Sequence, residues 1–158
     1  MRPFDTYPGD GIELLEAPKR ANTRREDAPR LRMLTGQTTC AYCEIGLFDD
    51  YHRWLLTAID HVVPRAEAVR LGIPVDWYES FSNAVLCCSG CNGLDNRFRT
   101  ARMAPETPWT LEQFFELRNS VFLERRERIA GCRRMEEELF GLARGHIRPS
   151  DRDPDGRP

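Results

Sequence analysis

Residues 83–92 have the sequence NAVLCCSGCN, in which an apolar run leads into a C-x-x-C pair. A second such pair, CAYC at 40–43, precedes it, and 44 residues separate the two pairs. Together they supply four thiolates, which is the donor set of a closed tetrahedral zinc site. One pair alone would be a weak signal, but two in a chain of 158 residues are a strong one. We therefore predict a structural zinc site formed by Cys40, Cys43, Cys88 and Cys91.

Two further cysteines fall outside this set. Only Cys88 has the two-residue spacing to Cys91, so Cys87 is expected to pack inward from a strand. Cys132 lies on an apolar helical stripe and is expected in the core. The alternative for the clustered thiols is a redox or metal-storage protein, in which the pairs would be accessible and reactive. Thiol titration with and without a chelator separates these cases.

The segments around the cysteines predict two strands and a helix, and so an α+β fold. Residues 53–60, RWLLTAID, are typical of a buried strand, with a short helix as the alternative. Pro64 ends that element. Residues 83–88 predict the second strand, and residues 89–103 predict a helix rich in arginine.

The chain divides into four predicted segments. Residues 1–38 are rich in Pro, Gly, Arg and acids and predict a loosely ordered arm able to dock on the core. Residues 39–104 form the predicted core. Residues 105–145 predict a long C-terminal helix that opens with a capping box, TLEQ at 110–113. Its apolar stripe indicates core packing, with a dimer interface as the alternative. Residues 146–158 are expected to be disordered.

An acid and an imidazole stand side by side at the end of the first predicted strand, as Asp60 and His61 in AIDHVVPRA. Asn83 follows 22 positions after His61, and Asn92 follows nine positions after Asn83, directly behind the last cysteine. A C-x-x-C pair, then DHVVP, then NAVLCC-x-x-CN resembles the HNH endonuclease family. Each piece alone is unspecific, but the combined spacing is specific. The resemblance implies a small, treble-clef-like ββα-metal core stapled by the four-cysteine zinc site.

The resemblance covers residues 40 to about 98 and implies a role for each matching residue. His61 would be the general base that takes a proton from water. Asp60 and Asn92 would give oxygen ligands to one catalytic Mg²⁺ or Mn²⁺ ion, which would stabilise the phosphate and the leaving 3′ oxygen. Asn83 would steady the loop after His61 by hydrogen bonding. The implied substrate is double-stranded DNA, contacted through its backbone.

One position departs from the family pattern. The family often has a lysine a few residues after the C-N pair, and here that position is Asp95. We expect Arg97, Arg99 and Arg102 to supply the contacts to DNA phosphates instead. The alternative for each arginine is a solvated helix face.

Charge and hydropathy limit the classes of protein to which the chain can belong. The chain has 23 Lys and Arg against 25 Asp and Glu, a formal net charge of −2. This balance excludes a basic coat over the whole surface but not a local basic patch. No apolar run approaches the roughly 18 residues that span a bilayer, and the opening MRPFDTYPGDG is not typical of a secretory signal. We therefore expect a cytoplasmic protein without a membrane segment.

A metal-dependent DNA endonuclease is the favoured function, because the acid, the imidazole and the two asparagines occur together. The alternative is a zinc-stabilised nucleic-acid-binding module without cleavage activity, which would need only the four cysteines. No helix-turn-helix or finger array is present. Any sequence specificity would therefore come from the arms, a second copy in a homodimer, or a partner protein.

Overall fold

An antiparallel pair of short strands forms the centre of the fold, with Thr57 opposite Cys88 and His61 opposite Ala84. The computed structural model describes residues 3–17, 25–95 and 97–146. In chain order its elements are 3-10 helices Pro3–Thr6 and Pro8–Leu14, α1 (Asp27–Thr35), α2 (Tyr51–Leu55), β1 (Thr57–His61), α3 (Arg65–Arg70), α4 (Val75–Tyr78), a 3-10 helix Phe81–Asn83, β2 (Ala84–Cys88), α5 (Ser89–Leu94) and α6 (Leu111–His146). The predicted α+β class and the long C-terminal helix are confirmed.

The first predicted strand divides into a helix and a strand. The Asp50 side chain accepts a hydrogen bond from the Arg53 N–H (2.9 Å) and so caps α2. The strand begins only at Thr57, after this short helix has ended. Residues 53–55 are therefore helical, in agreement with the short helix given as the alternative for this segment. Residues 57–60 belong to the strand.

β2 is the most buried element of the sheet. Ala84, Val85, Leu86 and Cys87 are all fully buried. The prediction that Cys87 packs inward is confirmed, and the second strand lies within one residue of its predicted range.

The helix after β2 is much shorter than predicted. α5 ends at Leu94, and Asp95 takes a non-helical conformation with φ of −135° and ψ of 38°. Phe98 is 4% exposed and Thr100 is also buried, because the chain turns these side chains into the core instead of continuing along a helical surface. The prediction of an arginine-rich helix through residue 103 is therefore wrong.

The long helix α6 begins at the predicted capping box. The Thr110 N–H donates to Gln113 Oε1 (3.0 Å), and the Gln113 N–H donates to Thr110 Oγ1 (3.2 Å). Among the residues of α6 with described burial, the fully buried ones lie in its first half, and the last of them is Ile129. Cys132 is half-buried rather than in the core, and Leu139 is 58% exposed.

The N-terminal segment is packed rather than loose. Phe4, Tyr7 and Leu14 are buried, and Phe4 meets Phe122 of α6 edge to face, with ring centroids 5.7 Å apart. These apolar residues are sparse in the sequence, but tight 3-10 turns bring them onto one face. Residues 3–17 and α1, whose Leu31 is also buried, therefore dock on the core as ordered turns and a helix.

Two predicted segments extend beyond the residues that the structure describes. Residues 18–24 of the arm and residues 147–158 of the predicted disordered tail lie outside the described residues. Among the described helices, none combines the length and apolarity needed to cross a membrane.

Candidate functional site

The four predicted cysteines come together in one cluster. Their sulfur atoms all lie within 4.8 Å of one another, and the Cys43 and Cys88 sulfurs are 3.8 Å apart. A tetrahedron with metal–sulfur distances of about 2.3 Å has edges of about 3.8 Å. The grouping of Cys40, Cys43, Cys88 and Cys91 is therefore confirmed, and its dimensions fit a tetrahedral metal ion such as zinc.

The first C-x-x-C pair lies in a tight turn fixed to β2. The Glu44 N–H donates to the Cys40 carbonyl (2.9 Å), and the Cys40 N–H donates to the Ile45 carbonyl (2.8 Å). Glu44 is left-handed, with φ of 63°, which costs a non-glycine residue about 1–2 kcal/mol. The Ala41 N–H donates to the Leu86 carbonyl (3.0 Å). These bonds hold the turn against the strand that leads to the second pair.

The second pair lies where β2 passes into α5. The Cys88 sulfur accepts a hydrogen bond from the Cys91 N–H (3.4 Å) at the start of the helix. Asn92 follows directly on α5 and is half-buried. Because α5 packs against both strands, Asn92 lies on the element beside the strand that carries Asp60.

Hydrogen bonds between the clustered thiols shift their pKa values in different directions. Hydrogen bonds from Cys40 and Cys91 hold the pKa of the Cys88 thiol well below its usual range. The pKa of Cys40 rises to about 11, chiefly through its hydrogen bond to Cys88, and the pKa of Cys91 is raised by its bonds to Cys40 and Cys88. Of these three thiols, only that of Cys88 is shifted towards the thiolate form. A divalent cation would offset the mutual repulsion of four thiolates.

Asp60 lies in a buried polar contact rather than facing open solvent. Its Oδ2 accepts a hydrogen bond from the Tyr42 hydroxyl (2.5 Å), and the same oxygen lies 2.7 Å from an Arg125 guanidinium nitrogen. The Asp60 side chain is 12% exposed. Burial, followed by the charge of Asp60, holds the pKa of Tyr42 well above its usual range. Asp60 thus has one oxygen engaged by two protein donors.

His61 contacts a carboxylate that the sequence analysis missed. Its Nε2 lies 3.3 Å from Glu79 Oε2, and the His61 side chain is 14% exposed. Arg65 Nε lies 2.6 Å from the other oxygen of Glu79. An Nε2–H aimed at this carboxylate fixes the tautomer of the neutral ring. Glu79 follows α4 and has no motif spacing to His61, so only the folded chain brings the two together.

Asn83 makes the hydrogen bonds predicted for it. Its Oδ1 accepts from the Val63 N–H (2.9 Å), and its Nδ2 donates to the carbonyls of Val63 and Tyr78 (3.0 Å each). Its own carbonyl accepts from the Val62 N–H (2.8 Å). Asn83 is fully buried, so its amide braces the backbone directly after His61 and does not face a substrate.

Arg125 of α6 is a second residue that the sequence analysis missed. It is 2% exposed and donates to the carbonyls of His61 (2.8 Å) and Val62 (3.1 Å). Its Nε lies 3.6 Å from Asp95 Oδ2, too far for a hydrogen bond, and neither atom has a hydrogen-bond partner among the described residues. Burial raises the pKa of Asp95, against the influence of Arg128 and Arg125. A signal was present in the sequence, because Arg125 interrupts the apolar stripe of α6.

The three arginines predicted to meet DNA lie on an irregular segment after α5. Arg97, Arg99 and Arg102 are exposed. Glu67 of α3 holds this segment by accepting from the Thr100 N–H (3.1 Å), and Arg70 donates to the carbonyls of Thr100 (3.2 Å) and Arg102 (3.1 Å). The hydrogen bond from Arg70 lowers the pKa of Glu67. The arginines therefore project from an anchored loop, not from the predicted helix.

No protein-family model, curated protein or solved structure matches this chain.

Proposed function

We propose that this chain is an HNH-type endonuclease that hydrolyses phosphodiester bonds in DNA with the help of a divalent cation. The observation that best supports the proposal is the arrangement at the end of β1. His61 contacts the carboxylate of Glu79, and Asn83 braces the backbone that follows. An imidazole oriented by a carboxylate is the usual construction of a general base.

The proposed role of the four cysteines is structural. Cys40, Cys43, Cys88 and Cys91 would bind zinc, because their spacing fits its tetrahedral geometry. Four sulfur ligands leave no open position for water or substrate. The bound ion would fix the turn at 40–43 against the start of α5.

A second, catalytic cation would be Mg²⁺ or Mn²⁺ held by Asp60 and Asn92. Carboxylate and amide oxygens suit these hard ions. One carboxylate oxygen of Asp60 is engaged by Tyr42 and Arg125, which fits binding through the other oxygen, with water filling the remaining positions. When bound, such an ion stabilises charge on the phosphate and the leaving 3′ oxygen.

The chain's own groups would perform the proton transfer and bind the substrate. His61 would accept the proton of the attacking water, and the Glu79 carboxylate would orient the ring and stabilise the imidazolium that forms. Arg97, Arg99 and Arg102 would contact the DNA backbone from the anchored loop. Asn83 would keep its bracing role behind His61.

The test is cleavage of supercoiled plasmid by the zinc-loaded protein in Mg²⁺ or Mn²⁺, compared with EDTA. His61→Ala is expected to lower the rate by about 100- to 10,000-fold, the usual contribution of a general base. His52→Ala is the matched control, since His52 is exposed on α2, and it should cleave like the wild type. Circular dichroism and zinc content would confirm that all three proteins are folded.

Equal cleavage by the wild type and His61→Ala would contradict the proposal, because the activity would then come from another site or a contaminant. Loss of cleavage in both histidine variants would point to general damage and would equally remove the support for His61.

The second candidate is a zinc-stabilised nucleic-acid-binding module without cleavage activity. One observation favours it: Arg125 already neutralises the charge of Asp60, which weakens the attraction for a cation. Fluorescence anisotropy with a labelled duplex separates the two candidates. A binding module would bind in EDTA and leave the duplex intact after Mg²⁺ is added, whereas the endonuclease would cleave it.

A further inference from the structure

The tyrosine inside the first C-x-x-C pair connects the cysteine cluster to the strand of the candidate base. Tyr42 is 5% exposed and stacks on Phe122 of α6, with ring centroids 5.5 Å apart and an interplanar angle of 23°. Its hydroxyl donates to Asp60 Oδ2. The side chain thus reaches from the cysteine turn to the acid beside His61.

The backbone of Tyr42 has little freedom. Its neighbours in the turn, Cys40 and Cys43, both belong to the cysteine cluster. The preceding Ala41 N–H is bonded to β2. A hydroxyl held from such a turn is a fixed donor, so it sets the direction in which the Asp60 carboxylate faces.

Two donors converge on one oxygen of Asp60. The Tyr42 hydroxyl and an Arg125 guanidinium nitrogen both contact Oδ2, at 2.5 and 2.7 Å. With Oδ2 occupied, Oδ1 is the oxygen that Asp60 can offer to a cation. Without the hydroxyl, the carboxylate could rotate and receive the guanidinium with both oxygens, which is the preferred geometry of an arginine–carboxylate pair.

We propose that Tyr42 is a positioning residue that holds Asp60 in the orientation required to bind the divalent cation. This inference rests on the proposed function, because it assumes a cation at Asp60. It also makes the cation site depend on the cysteine cluster, which the proposed function does not require. The cysteine cluster, through Tyr42, sets the affinity of the cation site as well as the stability of the fold.

Tyr42→Phe tests the proposal, because it removes one hydroxyl and keeps the stacked ring. Binding of Mn²⁺ to the full-length, zinc-loaded protein is measured without DNA, from the loss of the electron paramagnetic resonance signal of free Mn²⁺. The dissociation constant for Mn²⁺ is expected to rise about 10- to 100-fold, as for other groups that orient a metal ligand. Zinc content should stay at the wild-type value.

Tyr7→Phe is the matched control. Tyr7 is also buried, and its hydroxyl donates to the Ala84 carbonyl on β2 (2.7 Å). The change therefore removes a buried tyrosine hydroxyl without touching Asp60. Its Mn²⁺ affinity should match that of the wild type.

Asp60→Asn separates failure of the inference from failure of the proposed function. Weak Mn²⁺ binding in Asp60→Asn with wild-type binding in Tyr42→Phe would overturn the role of Tyr42 and keep the cation site. Wild-type binding in Asp60→Asn, or no Mn²⁺ binding by the wild type, would overturn both. Equal weakening in the two tyrosine variants would also overturn the inference, since it would show a general effect on the core.

Discussion

Cys88→Ser is expected to unfold the protein at room temperature, and removal of the proposed zinc with a chelator should do the same. The cluster joins the turn at 40–43 to the junction of β2 and α5. Structural zinc binds zinc-finger peptides with about 10–16 kcal/mol near neutral pH, and this binding free energy is also folding free energy. That is as large as the whole free energy of unfolding of a typical domain, about 5–15 kcal/mol. Far-UV circular dichroism during thermal unfolding, with metal content measured in parallel, would report the loss.

Cys132→Ser is the matched control for this change. Cys132 is half-buried on α6 and lies outside the cluster, so its melting temperature should stay close to that of the wild type. A Cys88→Ser protein that melts like the wild type would contradict a metal role for the cluster. It would also weaken the inference for Tyr42, whose position depends on the same turn.

Short-range patterns in the sequence predicted the parts of the site that local geometry controls. A C-x-x-C pair brings two sulfurs together within one turn, so each half of the cluster followed from spacing. The meeting of the two halves followed from the four thiolates that a closed zinc site requires. The capping box at Thr110 is equally local and fixed the start of α6. The hydrogen bonds of Asn83 were predicted from the resemblance, which implies that the asparagine after His61 braces the following backbone.

Contacts between distant segments were not predictable in this way. Tyr42 and Glu79 each lie 18 positions from the residue they contact, Asp60 and His61 respectively. Neither contact has a characteristic spacing, since both depend on how the turn at 40–43 and α4 pack around β1. Arg125 is farther still, and only the docking of α6 brings its guanidinium to Asp60.

The errors in the element predictions have the same origin. Local composition favoured a helix through residue 103, but burial of Phe98 draws the chain away from a helical course after Leu94. The N-terminal segment looks polar in sequence because its few apolar side chains are widely spaced. Phe4 and Tyr7 nevertheless pack on the core, because tertiary contact overrides weak local preference.

Arg125→Met is expected to lower the free energy of unfolding by about 3–5 kcal/mol, the usual cost of removing one partner of a buried ion pair. Arg125 is 2% exposed and contacts Asp60 Oδ2, and it also donates to the carbonyls of His61 and Val62. Methionine fills much of the same space but satisfies none of these oxygens. Of the two donors seen at Asp60 Oδ2, the Tyr42 hydroxyl would then remain. Urea denaturation at neutral pH measures the change.

Arg126→Met is the matched control, because it changes the next residue of the same helix in the same way. Arg126 pairs with Glu44, whose side chain is 72% exposed, and exposed pairs contribute about 0–1 kcal/mol. Equal, small losses in both variants would show that Asp60 does not need its guanidinium partner. A large loss confined to Arg125→Met would instead mean that α6 stabilises the acid beside His61. The long helix would then be a required part of the site, because it supplies the guanidinium that pairs with the Asp60 carboxylate.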